Sequence, residues 1–227
     1  MSDILCARLE KPFSWDRNET ASRALSPHAV ELQPLHSNSS GKAFDGGSVT
    51  TFYDDTHFYV IADLNDQSIH NSATEMNQPM WALGDVFEVF LRPQSQEAYY
   101  EFHVTPENQI LQLRFESALF YDKMRNLSDS KPLFNQSLIS KKYLKTSTRI
   151  LTAENRWQLL LSVPFLLICE THAWDPVEPW FASFCRYDYT AGEAQPVLSS
   201  TSTYPQPNFH DQSAWRRLLF HSGGSLL

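Results

Sequence analysis

The stretch Trp81-Ala-Leu-Gly-Asp-Val-Phe-Glu-Val-Phe-Leu-Arg-Pro93 is followed, after a polar spacer ending at Ala98, by Tyr99-Tyr-Glu-Phe-His-Val-Thr105. Successive side chains of an extended chain point to opposite faces. Phe87, Val89 and Leu91 therefore share one face of the first segment, and Val86, Glu88 and Phe90 share the other. In the second segment Tyr100, Phe102 and Val104 oppose Tyr99, Glu101 and His103. The short polar joint between them predicts an antiparallel pair. Such pairing brings Glu88 and His103 to one face, a charged and a titratable side chain on otherwise apolar strands.

The same pattern extends outward from this pair. Val49 to Tyr53 and His57 to Asp63 flank Asp54-Asp55-Thr56 and read as a hairpin. Phe58, Val60, Ala62 and Leu64 are expected in the core, with Tyr59, Ile61 and Asp63 on the other side. Ile4 to Glu10, Ala29 to Leu35, Ile110 to Phe115, Tyr143 to Leu151, Arg156 to Val163 and Trp180 to Tyr187 read as further strands. In Arg156 to Val163 the residues Trp157, Leu159, Leu161 and Val163 form an apolar face, and Pro164 ends the strand because it cannot donate to a ladder. Asp63 to Trp81 is a long connection, Glu116 to Lys142 an irregular insertion, Leu166 to Pro179 a connector with one helical turn, and Ala191 to Pro207 a polar loop. Many short strands separated by turn signals predict an all-β, antiparallel β-sandwich with jelly-roll or immunoglobulin-like layering and long loops, forming a single domain over 1–227.

Composition narrows the function. The chain has 227 residues, with 15 Phe, 9 Tyr and 6 Trp but only seven Gly. Acidic residues outnumber basic ones 26 to 18, a formal charge of −8, with no Lys/Arg cluster. That balance argues against binding to a phosphate backbone and suits a neutral ligand or a cation. Cys6, Cys169 and Cys185 are odd in number and lack zinc spacing, so three reduced, buried thiols are expected. The first residues lack a basic region followed by a long apolar run, and no segment reaches about 20 apolar residues, so a cytoplasmic protein without a membrane span is expected. The acceptor patterns at Asn18, Asn38, Asn126 and Asn135 are read as chance on the same ground. No nucleophile elbow, phosphate loop or His-Glu-x-x-His is present, and no enzyme is expected.

An ordered series of motifs carries a resemblance. Tyr53-Asp54-Asp55 is followed by Phe58-Tyr59-Val60, then Trp81 with Gly84 to Phe90, then Tyr100-Glu-Phe-His-Val104. Trp157 with Val163-Pro164-Phe165, Trp180 with Arg186, and Phe209-His210 complete it. From Val49 to Phe220 this succession resembles the family 9 carbohydrate-binding modules and their DOMON-like relatives. The resemblance implies a sandwich that binds a small sugar or a saccharide chain end without catalysis, often with structural calcium. It implies Trp81 as one aromatic wall and Phe209, where the family usually has tryptophan, as the second. Glu88 would accept sugar hydroxyls, and His103 and Arg186 would donate, with Gln206 and Asn208 as candidates for an amide contact. A pyranose has an apolar face that stacks on a ring and hydroxyls that pair with charged groups, so these residue types suit it. The rival readings are a polar cross-strand pair for Glu88 and His103, and an anchor to a neighbouring carboxylate for Arg186.

Related sandwiches bind haem, and Met76, Met80, Met124 and His103 supply ligand types for that alternative. A structural sandwich that presents a surface to a partner is the other. Carboxylates and amides between Asp63 and Trp81, including Asn65, Asp66, Asn71, Glu75 and Asn77, offer the hard oxygen atoms that calcium prefers, without a regular loop motif.

Overall fold

In the computed structural model of the chain, residues 2–9, 28–35, 44–169, 173–189 and 195–221 are described. The polar stretch after the first strand and the acceptor patterns at Asn18 and Asn38 lie outside them. Thirteen strands join in one continuous ladder, which curls so that its two arms face each other as the layers of a sandwich-like fold. One arm holds β4 (Gly47–Tyr53), β5 (His57–Asn65), β9 (Lys145–Leu151) and β10 (Arg156–Pro164). The other holds β6 (Val86–Pro93), β7 (Tyr99–Val104), β8 (Ile110–Phe115) and β11 (Trp180–Asp188). Between the arms run β1 (Ile4–Arg8) and β13 (Arg216–His221). The sheet departs from a purely antiparallel one here: β1 pairs parallel with both β13 and β4. The short β2 (Val30–Glu31) and β3 (Gln33–Pro34) attach at the margins.

Alternation sorts the side chains into an inter-sheet core and two further clusters, the smallest of them Leu9, Phe52, Tyr59, Ile61 and Leu160. Val60, Ala62, Leu64, Trp157, Leu159 and Leu161 from one arm meet Phe87, Val89, Leu91, Phe102, Val104 and Phe184 from the other, all fully buried. At about 25 cal/mol per Å² of apolar surface, this inter-sheet layer is the main favourable contribution to folding. The other face of β6, β7, β8 and β11 carries Val86, Phe90, Tyr99, Leu111, Leu113, Phe115 and Cys185, which form a second cluster. That face is covered by loops and helices instead of a third sheet, and the candidate site lies there. Cys6, Cys169 and Cys185 are free and buried, as expected.

Two segments read as loops are partly regular. The insertion after β8 contains α1 (Ala118–Arg125) and α2 (Lys131–Ser137). Ser117 caps α1, its hydroxyl accepting from the Phe120 amide at 3.2 Å, and Pro132 stands in the first turn of α2. Helices of eight and seven residues are too short to show a sustained period. β12 (Val197–Ser200) interrupts the stretch 191–207 and pairs with β11 and β3. It is Ser-rich because Ser200 bonds Ser183 across the pair at 3.0 Å. The connector after β10 holds the single turn α3 (Phe165–Ile168). No helix of the described residues is long and apolar enough to cross a membrane.

The Asp54 turn fixes the β4–β5 hairpin. One carboxylate oxygen accepts from the Thr56 amide, the Thr56 hydroxyl and the His57 amide at 2.7–2.8 Å, and the other accepts from the Tyr59 hydroxyl at 2.6 Å. Burial alone would raise this carboxyl, but these four donors outweigh it and hold the group below the ordinary aspartate value. Its stabilisation is therefore present above the unfolded-state value and is lost as pH falls through the lower folded one. Asp54→Ala is expected to cost about 2–4 kcal/mol at pH 7. In urea titrations from pH 7 to pH 2 the gap from the native protein should close only in the acid range; a constant gap would show that the ionised form has no special role.

Candidate functional site

The site is built on cross-strand pairs. In the β6–β7 ladder Glu88 lies directly opposite His103, and Phe90 opposite Glu101, and in β7–β8 Glu101 faces Leu113. The alternation expected from sequence thus sets Glu88, Glu101 and His103 side by side on the outer face. His103 Nε2 is 2.5 Å from Glu101 Oε1 and 3.3 Å from Glu88 Oε1. All three residues are buried, but Glu88 and Glu101 line a cleft of about 880 Å³, within the range of about 300–1,000 Å³ typical of ligand sites.

Aromatic side chains wall the cleft. Trp81 is half-buried and meets the ring of His103 edge-on at 5.6 Å and that of Phe134 at 5.8 Å. Phe209 also lines it, packed against Phe90, Tyr187 and Tyr204. Tyr121 and Met124 of α1 and Phe134 of α2 close the far side, with Arg125 and Lys131 among the lining residues. His210 stacks on Tyr121 at 3.5 Å between ring centres, accepts or donates at Tyr99 Oη through Nδ1 at 2.9 Å, and sets Nε2 3.5 Å from Glu101 Oε2.

Trp81 sits in a short 3₁₀ turn, Met80–Ala82. Asn71 holds both ends of that loop, its amide donating to the carbonyls of Met80 and Asp85 at 3.0 Å. Gly84 makes the approach feasible: its φ is +141°, and a Cβ there would lie 2.4 Å from the His70 carbonyl oxygen. Tyr189 donates to the Trp81 carbonyl at 2.7 Å. The helical insertion is fastened at its return by Gln112, which donates to the carbonyls of Ile139 and Lys141 and accepts from the amides of Tyr143 and Leu144. Asn77 accepts from the Gln112 amide at 3.0 Å and donates to Ile139 at 3.2 Å, linking the Trp81 loop to the insertion.

The acid–base cluster is electrostatically uneven. Burial pushes Glu88 up to about 8, with the charge of Glu101 adding to the rise and His103 opposing it. Burial would raise Glu101 too, but His210 and the hydrogen-bonded His103 hold it below the ordinary glutamate value. Burial would lower His103, yet its two carboxylate neighbours raise it. His210 is pushed down to about 4 by burial against the opposing pull of Glu101. These shifts favour an ion pair between Glu101 and His103 and draw Glu88 and His210 toward their neutral forms. The floor offers both donors and acceptors to hydroxyl groups.

Arg186 is a correction. Its parity in β11 places it with Phe184 on the inter-sheet side, fully buried and away from the cleft. There it donates to the carbonyls of Asp45 and Asn65 at 3.1 and 2.7 Å and pairs with Asp66 at 2.9 Å and Asp188 at 3.2 Å. Anchoring carboxylates, the rival reading, describes its position. Of the amide candidates, Asn208 lines the cleft and Gln206 is exposed outside it. Glu101, His210, Tyr121 and Phe134 were not among the expected site residues. Of the three methionines, Met80 is fully buried and Met76 packs on the inter-sheet core, so only Met124 reaches the cleft.

Calcium is tested by the one all-carboxylate group among the described residues, Asp66, Asp85 and Asp188. Asp66 accepts from the Ser68 amide and Arg186, and Asp85 from the amides of His70 and Tyr189. The guanidinium bonded to Asp66 and Asp188 already supplies the positive charge, and burial together with the charge of Asp66 pushes Asp85 up to about 8. This set does not fit calcium, which requires six to eight oxygen ligands free of a competing cation. Arg186→Leu is expected to cost about 3–5 kcal/mol, because it leaves buried carboxylates uncompensated. Chemical denaturation with and without added calcium checks it: the loss should persist in calcium, whereas rescue by the ion would show that the carboxylates form a metal site.

No protein-family model matches the sequence, and no curated protein matches it either. Solved structures do share the fold. A Bacteroides uniformis protein provisionally described as carbohydrate-binding superposes with a TM-score of 0.65 at 14% identity, over 97% of this chain and 100% of its own. A family 9 carbohydrate-binding module from Caldicellulosiruptor kristjanssonii, solved with cellotriose, superposes with a TM-score of 0.63 at 12% identity, over 97% and 94%. The module from the same organism solved with glucose gives 0.62 at 12% identity, over 97% and 96%. The chain has the fold of the family 9 carbohydrate-binding modules.

Proposed function

We propose that this protein is a non-catalytic carbohydrate-binding domain that takes a saccharide into the cleft on the outer face of β6, β7, β8 and β11. The observation that carries the reading is the meeting of aromatic walls with a hydrogen-bonding floor: Trp81 and Phe209 at the sides, Glu88 and Glu101 beneath, and His103 buried behind them where it pairs with both carboxylates. The sugar's apolar face stacks against Trp81 and Phe209, and its hydroxyls donate to and accept from the floor. The fold's likeness to modules solved with glucose and cellotriose supports gluco-configured sugars as the first ligands to test.

The fold's likeness to carbohydrate-binding modules supports a reading without catalysis.

Calorimetry and thermal shift with glucose, cellobiose, cellotriose and a wider panel of oligosaccharides test this, with chelator present throughout. One sugar class should raise the melting temperature by mass action. Trp81→Ala and Glu88→Gln should each weaken binding about tenfold or more, roughly 1.4 kcal/mol, while remaining folded. Undiminished affinity in both variants would overturn the site, and silence across the panel would leave a partner-binding domain as the better reading.

A further inference from the structure

The floor of the cleft has the atoms of a metal site as well as those of a hydroxyl-binding one. Glu88, Glu101 and His103 each offer a ligand atom, all within 4.8 Å of one another, and none of the three is exposed. A further nitrogen stands close by, with His210 Nε2 3.5 Å from Glu101 Oε2. These atoms come from two adjacent strands and the turn before β13, so the site is preassembled by the sheet register.

A second observation points the same way. Glu101 Oε2 is buried and has no hydrogen-bond partner, although its carboxylate lines the cleft and is about nine-tenths or more covered. A buried, ionised carboxylate oxygen without a donor is costly and calls for a water or an ion. We propose that Glu88, Glu101, His103 and His210 bind a divalent transition metal of the zinc type at the floor of the cleft. Two imidazole nitrogens and two carboxylates are borderline ligands, which favour zinc over the oxygen-only preference of calcium or magnesium.

The surroundings suit such an ion. The metal takes the place of the proton shared between His103 Nε2 and Glu101 Oε1, and both that proton and the one carried by Glu88 leave to solvent. His210 then uses Nε2 for the metal and donates Nδ1–H to Tyr99 Oη, 2.9 Å away, a bond that fixes the tautomer and aims the ring. Stacking on Tyr121 holds the same ring in place.

The test needs no sugar. The full chain, stripped with chelator and dialysed, is titrated with zinc chloride by calorimetry and with cobalt chloride by visible absorption. One equivalent of zinc should bind and raise the melting temperature, and cobalt should give ligand-field bands that zinc abolishes. Glu101→Gln and His210→Gln, each checked for a native circular dichroism spectrum, should weaken zinc binding by more than the roughly 10–100-fold caused by losing an outer-shell partner. No binding, or equal binding by the native protein and both variants, would overturn the site and leave a hydrogen-bonded Glu–His–Glu group. Because sugar binding is measured in chelator, loss of the metal site and loss of the sugar site give different results.

Discussion

The register between β6 and β7 sets everything on the outer face. It pairs Glu88 with His103 and Phe90 with Glu101, so two acids and an imidazole stand together while Phe87, Val89, Phe102 and Val104 enter the inter-sheet core. A slip of β7 by one residue would turn Glu101 and His103 into the inter-sheet core and carry Phe102 and Val104 to the outer face. The apolar core therefore enforces the position of the polar floor. A hydrophobic constraint, with no stake in the ligand, fixes a polar arrangement that would be hard to hold by its own interactions.

Covering that floor falls to irregular segments, and their attachment is polar. Asn71 closes the Trp81 loop, Gln112 fastens the end of the helical insertion, and Asn77 joins the two. Carboxamides suit this work because each offers donors and acceptors to backbone groups that no strand pairs. At the opposite face of β11, Arg186 performs a related service in charged form, tying Asp66 and Asp188 to the carbonyls of Asp45 and Asn65. The two faces of β11 thus carry different kinds of polar group, a clamp within the sandwich and an aromatic lining outside it.

What could be read in the sequence follows from periodicity. The two-residue alternation disclosed the faces of β5, β6, β7 and β10 and the meeting of Glu88 with His103. It also held the evidence against Arg186 as a ligand contact, because Arg186 shares the parity of Trp180, Ala182 and Phe184, the core side of its strand. Glu101 shares the parity of His103 and was equally visible, but on an aromatic strand a lone acid gives no sign of which neighbour it pairs with. Tyr121, Met124 and Phe134 lie on helices of two turns, too short for a pattern, and His210 lies in a turn where the backbone has none. β12 was hidden by its serines, whose pairing depends on Ser183 on a distant strand. The parallel docking of β1 between β4 and β13 joins the first strand to the last, and no local signal encodes it.

The Gln112 fastening has a consequence for how such a protein can change. One carboxamide on β8 receives the chain as it returns from the insertion, so the segment between Glu116 and Ile139 is an appendage with both roots on the same strand. Its length and composition can vary while the strands beneath keep their partners, since loop closure costs grow only slowly with added residues. Half of the cleft's wall is thereby separated from the framework that folds the domain. The lining on this side can therefore change without altering the strand pairing beneath it.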